Sequence, residues 1–262
     1  MSHADFRTLV AGFPRSEGHV RCETTLEGVL EITIANPRKK NALTPHMMVE
    51  LGHAVQSPAA QHAAAVILRG EGGPFCSGGD LDAVRDHLGQ AGTGGLLAAF
   101  MAEAIDQLVS QAAVVIGVLD GPALGGGAEL LMGCDEIFAS PRAAVGFVQV
   151  RLGVSPGFGG AGRAVAKLGS RRAMLLYTHP KLCSGSELEQ FELVDHWSEE
   201  PLAAARSRAA DLASLPRAAL RETVATLRAH AGPPSPAGRS RELAAFNLLW
   251  GGAEHREALS RR

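Results

Sequence analysis

The chain has 262 residues, 46% hydrophobic and 20% charged, which suits one large domain, or a domain with an appendage, around a sizeable core. A net charge of −2 gives no electrostatic reason to expect nucleic acid or an anionic membrane as a partner. No run approaches the roughly 18 apolar residues of a membrane span, and the N-terminal MSHADFRTLVAGFPRSEGH lacks the apolar core of a secretory signal.

Residues 1–20 show no clear period and read as an arm. VLEITIANP (29–37) alternates apolar and polar side chains, as a strand with one buried face would, and Pro37 ends it. LTPHMMVELGHAVQ (43–56) places Leu43, Met47, Leu51 and Val55 at helical spacing, with Thr44 as N-cap and Pro45 at the first helical position. AAAVILRGEGG (63–73) reads as a buried strand running into a glycine turn. FCSGGDLDAVRDHLG (75–89) begins as a glycine loop and turns helical at Asp80, a suitable N-cap.

After a poorly patterned Gly89–Gly95 stretch, an amphipathic helix is predicted over roughly 96–110. AAVVIGVLDGPALGGG (112–127) is an apolar strand leading into three glycines. EIFASPRAAVGF (136–147) gives two short strands around a Ser-Pro turn. From about Gly162 the pattern is helical, interrupted by turn-rich breaks such as AGPPSPAG (231–238). The tail ELAAFNLLWGGAEHREALSRR (242–262) reads as an amphipathic helix, a glycine break and a charged helix. The expected class is α/β, built from repeated strand-strand-helix units.

Two places share one construction: an apolar strand, glycines, then a helix with an acid near its start. Glycine lets the backbone turn its N–H groups outward and lets a ligand come close. A helix N-terminus adds unpaired donors and the positive dipole end. Two such turns facing each other would hold one oxygen between them, as an oxyanion hole; the same glycines would equally serve close helix–strand packing. Neither turn is a Walker loop, because no GK[ST] follows, and neither matches the GxGxxG of a dinucleotide-binding unit.

GPALGGGAELLMGCDEIFAS (121–140) closely resembles the central motif of the crotonase (enoyl-CoA hydratase/isomerase) superfamily. NPRKKNAL (36–43), GPFCSGGDLDAV (73–84) and VRLGVSPGFGGAGRAVAKLGSRRAMLL (150–176) match in order, so the resemblance covers roughly residues 25–195. It implies a crotonase (ClpP-like) spiral of β-β-α units over residues 1–195 that carries an acyl-CoA site. Residues 196–262 would form a C-terminal helical segment for oligomerisation and pocket closure, in a trimer or hexamer. It implies an acyl-coenzyme A thioester as substrate. Coenzyme A belongs to that substrate, so no separate cofactor is expected, and neither nucleic acid nor membrane is expected as a partner.

Carried over by position, the backbone N–H groups of Gly79 and Gly126 would hold the thioester oxygen as it becomes an enolate oxygen. Glu129 matches one of two glutamates that hydratases of the family use as acid and base; burial would raise its pKa toward neutrality. The position of the second glutamate lies in GFVQVRLG (146–153) and is held by Gln149, an amide that cannot act as a general base. Hydration and isomerisation by paired acids are therefore disfavoured. Gln149 would instead donate a hydrogen bond to a substrate carboxylate or acyl group, or stand by on a surface strand.

An oxyanion hole with one acid suits an enolate formed without a strong base, as when a malonyl-type thioester loses CO2. ALGGGAEL, the Phe-Val before Gln149, GSRRAM and above all LLWGGAEHREALSRR are similar to the ethylmalonyl-CoA decarboxylase branch of the superfamily. The expected reaction is decarboxylation of ethylmalonyl-CoA or methylmalonyl-CoA, with Glu129 orienting the carboxylate or supplying the proton. The alternatives are an enoyl-CoA hydratase, isomerase or other crotonase-type lyase, and a non-catalytic acyl-CoA-binding or scaffold protein. Phe147, Val148 and Phe158 would line an acyl pocket or pack the core. Trp250 would be a lid, a ligand contact or a subunit contact. Lys39 and Lys40, with Arg38, would meet a coenzyme A phosphate or sit on a solvated loop.

The ten histidines show no metal spacing, and no Gly-x-Ser-x-Gly elbow is present, so neither a metal site nor a serine hydrolase is expected. The four widely spaced cysteines, Cys22, Cys76, Cys134 and Cys183, read as reduced and mostly buried, which fits a cytoplasmic protein.

Overall fold

The structure, a computed structural model, describes residues 3–25, 27–90, 92–111, 114–217, 220–221, 223–225, 228, 247 and 250–260. The chain opens with helix α1 (His3–Ala11) and strand β1 (His19–Thr24) where an arm was expected. The reason is a short apolar stripe: Phe6 and Val10 are buried, and the Phe6 ring lies 4.9 Å from that of Phe100. Two anchors in nine residues are too few to show a period.

Strand β2 (Val29–Ala35) is buried at every residue, not on one face. Its acidic member is paired instead of solvated: Glu31 accepts from the guanidinium groups of Arg69 and Arg206. Pro37 then begins a single helical turn, Pro37–Lys39. Helix α2 (Pro45–Gln56) has the expected cap, with Thr44 Oγ1 accepting from the Met47 N–H at 3.3 Å. Helix α3 (Pro58–His62) leads to the buried strand β3 (Ala65–Gly70).

Asp80 caps the short helix α4 (Leu81–Ala83), which widens over Val84–Leu88. Helix α5 (Thr93–Gln111) precedes the fully buried β4 (Val114–Leu119), then β5 (Pro122–Leu124) and α6 (Gly126–Leu131). Strands β6 (Glu136–Ala139) and β7 (Ala144–Gly146) flank the Ser-Pro turn. A helical turn at Gln149–Leu152 follows, then α7 (Gly160–Thr178), broken by non-helical dihedrals at Gly169.

Beyond α7 the chain is not helical throughout. Strands β8 (Cys183–Ser184) and β9 (His196–Trp197) flank α8 (Ser186–Gln190). Strands of two residues carry no readable period. Helix α9 (Pro201–Ala213) and a final helix α10 (Ala253–Ser260) complete the described elements. The expected break at 231–238 lies outside the described residues, as does most of the amphipathic helix expected before Gly251.

Six strands form the main sheet in the order β1-β2-β3-β4-β6-β9, parallel except for the β1–β2 pair. A smaller sheet runs β5-β7-β8, and Cys76 bridges to Ala123 beside it. Each unit therefore gives a strand to the large sheet, a short one to the small sheet, and then a helix: β4-β5-α6 and β6-β7-α7. The segment β3-Cys76-α4 repeats the pattern in its shortest form. This is the spiral of β-β-α units that the resemblance implied. The main core fills the space between the sheets and α2, α5 and α7. A second apolar layer joins Ala205, Ala209 and Leu212 of α9 to Ile67, Ile116 and Phe138 of the main sheet. Packing thus runs through residue 195 without a break.

No helix among the described residues is long and apolar enough to cross a membrane. Three of the four cysteines, Cys76, Cys134 and Cys183, are buried, whereas Cys22 is exposed. Because Thr44 satisfies an otherwise open N–H of α2, Thr44→Ala is expected to lower stability by about 1 kcal/mol in urea unfolding, with an unchanged denaturant slope.

Candidate active site

The two glycine turns lie against each other. Phe75 N–H donates to Pro122 O at 3.0 Å and Leu124 N–H to Cys76 O at 2.9 Å, so the Cys76–Asp80 loop runs alongside the approach to α6. A latch holds that loop from its other side. Leu43 N–H donates to Gly78 O and Asp80 N–H to Leu43 O, both at 2.8 Å, and Ser77 N–H donates to Lys40 O at 3.1 Å. A Cβ placed on Gly78 would lie 3.1 Å from the Gly126 nitrogen, so the backbones are in contact there.

The three consecutive glycines have separate reasons. Gly125 has φ 52° and ψ −120°, a conformation that glycine adopts without the Cβ penalty. A side chain on Gly126 would enter the Phe158 ring, and one on Gly127 would come within 2.1 Å of the Cys76 carbonyl. Gly126 opens α6, so its N–H has no carbonyl one turn back within the helix. In the facing loop, the N–H groups of Gly78 and Asp80 are engaged by Cys76 Sγ and Leu43 O, whereas that of Gly79 has no such partner. Both expected oxyanion donors are therefore placed at one cavity with their N–H groups outside the backbone ladders. The Cys76 thiol beneath them is pushed up to about 12 by burial, so it is a neutral packing group.

Glu129 stands one turn inside α6 and is 1% exposed. Its carboxylate does not serve its own helix. Oε2 accepts from the N–H groups of Phe158 (2.9 Å) and Gly160 (3.1 Å), at the entrance of α7. Oε1 accepts from Gly157 N–H (3.3 Å) and from Gln149 Nε2 (2.7 Å). Each oxygen thus takes two donors, and all four donors are uncharged. Burial pushes the Glu129 pKa above the ordinary carboxylate value, while the four hydrogen bonds pull against it.

Gln149 is neither on a surface strand nor solvent-facing. It opens the helical turn after β7, is 7% exposed, and directs its amide N–H at Glu129. Its buried carbonyl oxygen has no hydrogen-bond partner among the described residues. One N–H of the Gln149 amide expected to face substrate is therefore engaged, and its carbonyl oxygen, an acceptor, is left open.

Glu129, Gln149, Gly79 and Gly126 line one cavity of about 540 Å³, together with Val148, Phe158 and Trp250. Phe147 does not line it: the ring is fully buried and stacks on Tyr177 with centroids 4.0 Å apart, because the side chain after β7 points into the core. Trp250 is a fixed wall, its indole N–H donating to Leu88 O and its ring pressed on Gly94. Lys39 and Lys40 line the same cavity, but Lys39 Nζ lies 2.8 Å from Asp80 and 3.1 Å from Asp82. The Asp80 carboxylate holds the Lys39 ammonium in its charged form and ties it to the Cys76–Asp80 loop. Arg38 pairs with Glu17 on the surface and is not part of the cavity.

The sequence reading did not single out Arg151 and Lys181, which also line the cavity, the latter paired with Glu187 at 2.7 Å. It also missed the three backbone donors to Glu129; the signal was the glycine-rich PGFGG before α7. Among the described residues, no group of three or more His, Cys, Asp or Glu is placed to hold a metal ion.

Comparison with known proteins bears on the family and the fold. The Enoyl-CoA hydratase/isomerase family profile matches residues 24–261. Ethylmalonyl-CoA decarboxylase of Gallus gallus is 30% identical over 251 residues, covering 94% of this chain and 84% of that protein. The protein of the same name from Danio rerio is 34% identical over 197 residues, covering 74% of this chain and 64% of its own length. An enoyl-CoA hydratase/isomerase structure from Mycobacterium paratuberculosis superposes with a TM-score of 0.84 at 21% identity, over 95% of this chain and 99% of that one, and so shares the fold. The chain belongs to the enoyl-CoA hydratase/isomerase, or crotonase, family.

Proposed function

We propose that this chain is an acyl-CoA lyase that decarboxylates ethylmalonyl-CoA or methylmalonyl-CoA. One observation carries the reading: at the acyl end of the cavity, a single carboxylate, Glu129, is bonded at 2.7 Å by an amide, Gln149. Hydration needs a water activated between two acids, and an amide is no base. Loss of CO2 needs no base, only a place for the electron pair that the breaking carbon–carbon bond leaves behind. The names of the relatives at 30% and 34% identity support the same reaction.

In this reading the thioester oxygen lies between the N–H groups of Gly79 and Gly126. Each such donor contributes about 2.7–4 kcal/mol to a developing oxyanion, and the start of α6 adds its positive dipole end. The apolar walls from Val148, Phe158 and Trp250 strip water from the substrate carboxylate and favour its departure as CO2. The enolate then takes a proton at its alpha carbon, with Glu129 as the acid. Lys40 and Arg151 supply cationic groups toward the coenzyme A phosphates. The working form is a homotrimer or a pair of trimers in the cytoplasm, with no cofactor beyond the coenzyme A of the substrate.

Incubation with racemic ethylmalonyl-CoA is expected to release CO2 and convert half of the racemate to butyryl-CoA, with crotonyl-CoA left unhydrated. Hydration of crotonyl-CoA without CO2 release would reverse the assignment in favour of a hydratase. Glu129→Ala is expected to reduce turnover at least a hundredfold, on the order of a general acid's contribution. Gly127→Ala is expected to remove activity as well, because its Cβ would displace the Cys76 carbonyl and with it the oxyanion loop; overpacking of this kind costs about 1–3 kcal/mol, to be read as a lower Tm. The acid must hold its proton, and burial raises its pKa. Turnover is therefore expected to be present at low pH and to fall as pH rises through the elevated Glu129 pKa, a limb that Glu129→Gln removes.

A further inference from the structure

Gln149 joins two facts that the reaction scheme leaves apart. Its amide N–H is turned to Glu129, and its carbonyl oxygen is buried at the cavity without a partner. An ionised Glu129 accepts only, so it holds the amide with Nε2 toward itself. In that state the acyl end of the cavity presents two acceptors, the Gln149 oxygen and the carboxylate, to any incoming group. A substrate carboxylate arriving there would meet the bare Gln149 oxygen and one like charge, offset by no more than the second N–H of Nε2, which is costly in a buried site.

Protonation of Glu129 reverses the arrangement. Oε1 becomes an O–H donor, and the amide can satisfy it only by turning its carbonyl oxygen inward. Nε2 then faces the cavity and offers both of its N–H groups to a carboxylate. We infer that Gln149 is a two-position hydrogen-bond relay: Glu129 takes up a proton as the anionic acyl group binds, and the turned amide of Gln149 holds the substrate carboxylate. The inference rests on the decarboxylase reading and names the residue that touches the departing group.

Turnover then balances. The bond between the alpha carbon and the carboxylate breaks, CO2 leaves, and the electron pair enters the thioester enolate. The proton on Glu129 passes to the alpha carbon, and the carboxylate returns to its four donors while the amide turns back. One solvent proton is consumed per cycle, and Glu129 is its port of entry.

Among the described residues the four hydrogen-bond partners of Glu129 are uncharged, Gln149 and three backbone N–H groups. On α7, Arg163 is paired with Asp106 and with the Gly159 carbonyl. Lys39 is neutralised by Asp80 and Asp82, and Lys181 by Glu187. Lys40 and Arg151 line the cavity as further cations. Cys76, packed beneath Gly127, is a neutral thiol.

The test uses two inert ligands of the full-length protein. One is the thioether analogue of ethylmalonyl-CoA, in which a methylene replaces the thioester carbonyl so that CO2 stays on. The other is the butyl thioether of coenzyme A, which lacks the carboxylate. Calorimetry in buffers of different ionisation enthalpy counts the protons that accompany binding. Wild-type protein is expected to take up about one proton with the anionic ligand and none with the neutral one. The Kd of the anionic ligand is then expected to rise about tenfold per pH unit above the Glu129 pKa.

Gln149→Leu is expected to weaken the anionic ligand at least tenfold while leaving the neutral one within twofold, which also shows that the cavity still forms. Glu129→Gln is expected to abolish proton uptake and flatten the pH dependence. Anionic binding without proton uptake, or undiminished anionic binding by Gln149→Leu, overturns the relay. Failure of the decarboxylase reading appears separately, as absent CO2 release in the turnover assay, whatever the binding protons show.

Discussion

The Glu129 carboxylate is the point on which the site is assembled. An ionised carboxylate in a dry interior is costly unless its oxygens are fully hydrogen-bonded. Here four donors converge on it from two other segments, the turn at Gln149 and the entrance of α7. The side chain belongs to α6, so one charged group joins α6, α7 and the link from β7. Tight packing follows from the same demand: a Cβ on Gly160 would lie 2.5 Å from that of Glu129, so only glycine lets the N–H come close enough to bond. The acid is both a structural cap for α7 and a cavity wall, and the two roles share the same atoms.

The two glycine loops depend on a second constraint, the close approach of Cys76–Asp80 to the start of α6. It is maintained by backbone hydrogen bonds across both turns and by the Lys39–Asp80 pair. That pair changes the meaning of a basic cluster. Lys39 lines the cavity as a neutralised strut of the loop, and only Lys40 of that trio reaches the cavity without an acidic partner described for it. Side chains in the same run of sequence thus divide between loop support, cavity lining and a surface pair.

Much of the architecture was legible because it rests on local rules. The Thr44–Pro45 helix start, the Asp80 cap, the apolar β3 and β4, and the Ser-Pro turn between β6 and β7 follow from capping, fixed proline geometry and buried strand patterning. The glycine turns were legible as candidate ligand sites because their motif spans consecutive residues. By contrast, α1, β8 and β9 were too short to carry a period, and the alternation of β2 misled. Glu31 reads as solvent-facing until Arg206, 175 residues away, is folded over it.

The sequence by itself determined the chemistry on offer: glycines able to bring backbone N–H groups together, one acid at Glu129, and an amide at Gln149 in place of a second acid. Tertiary structure alone decided how those groups are used. It turned the amide of Gln149 toward Glu129, left its carbonyl oxygen bare, withdrew Phe147 into the core and matched Lys39 to Asp80. The physical reason is that a side chain's type sets which hydrogen bonds and charges it can offer. Which of them remain free for a ligand depends on neighbours that only the folded chain brings within about 3 Å.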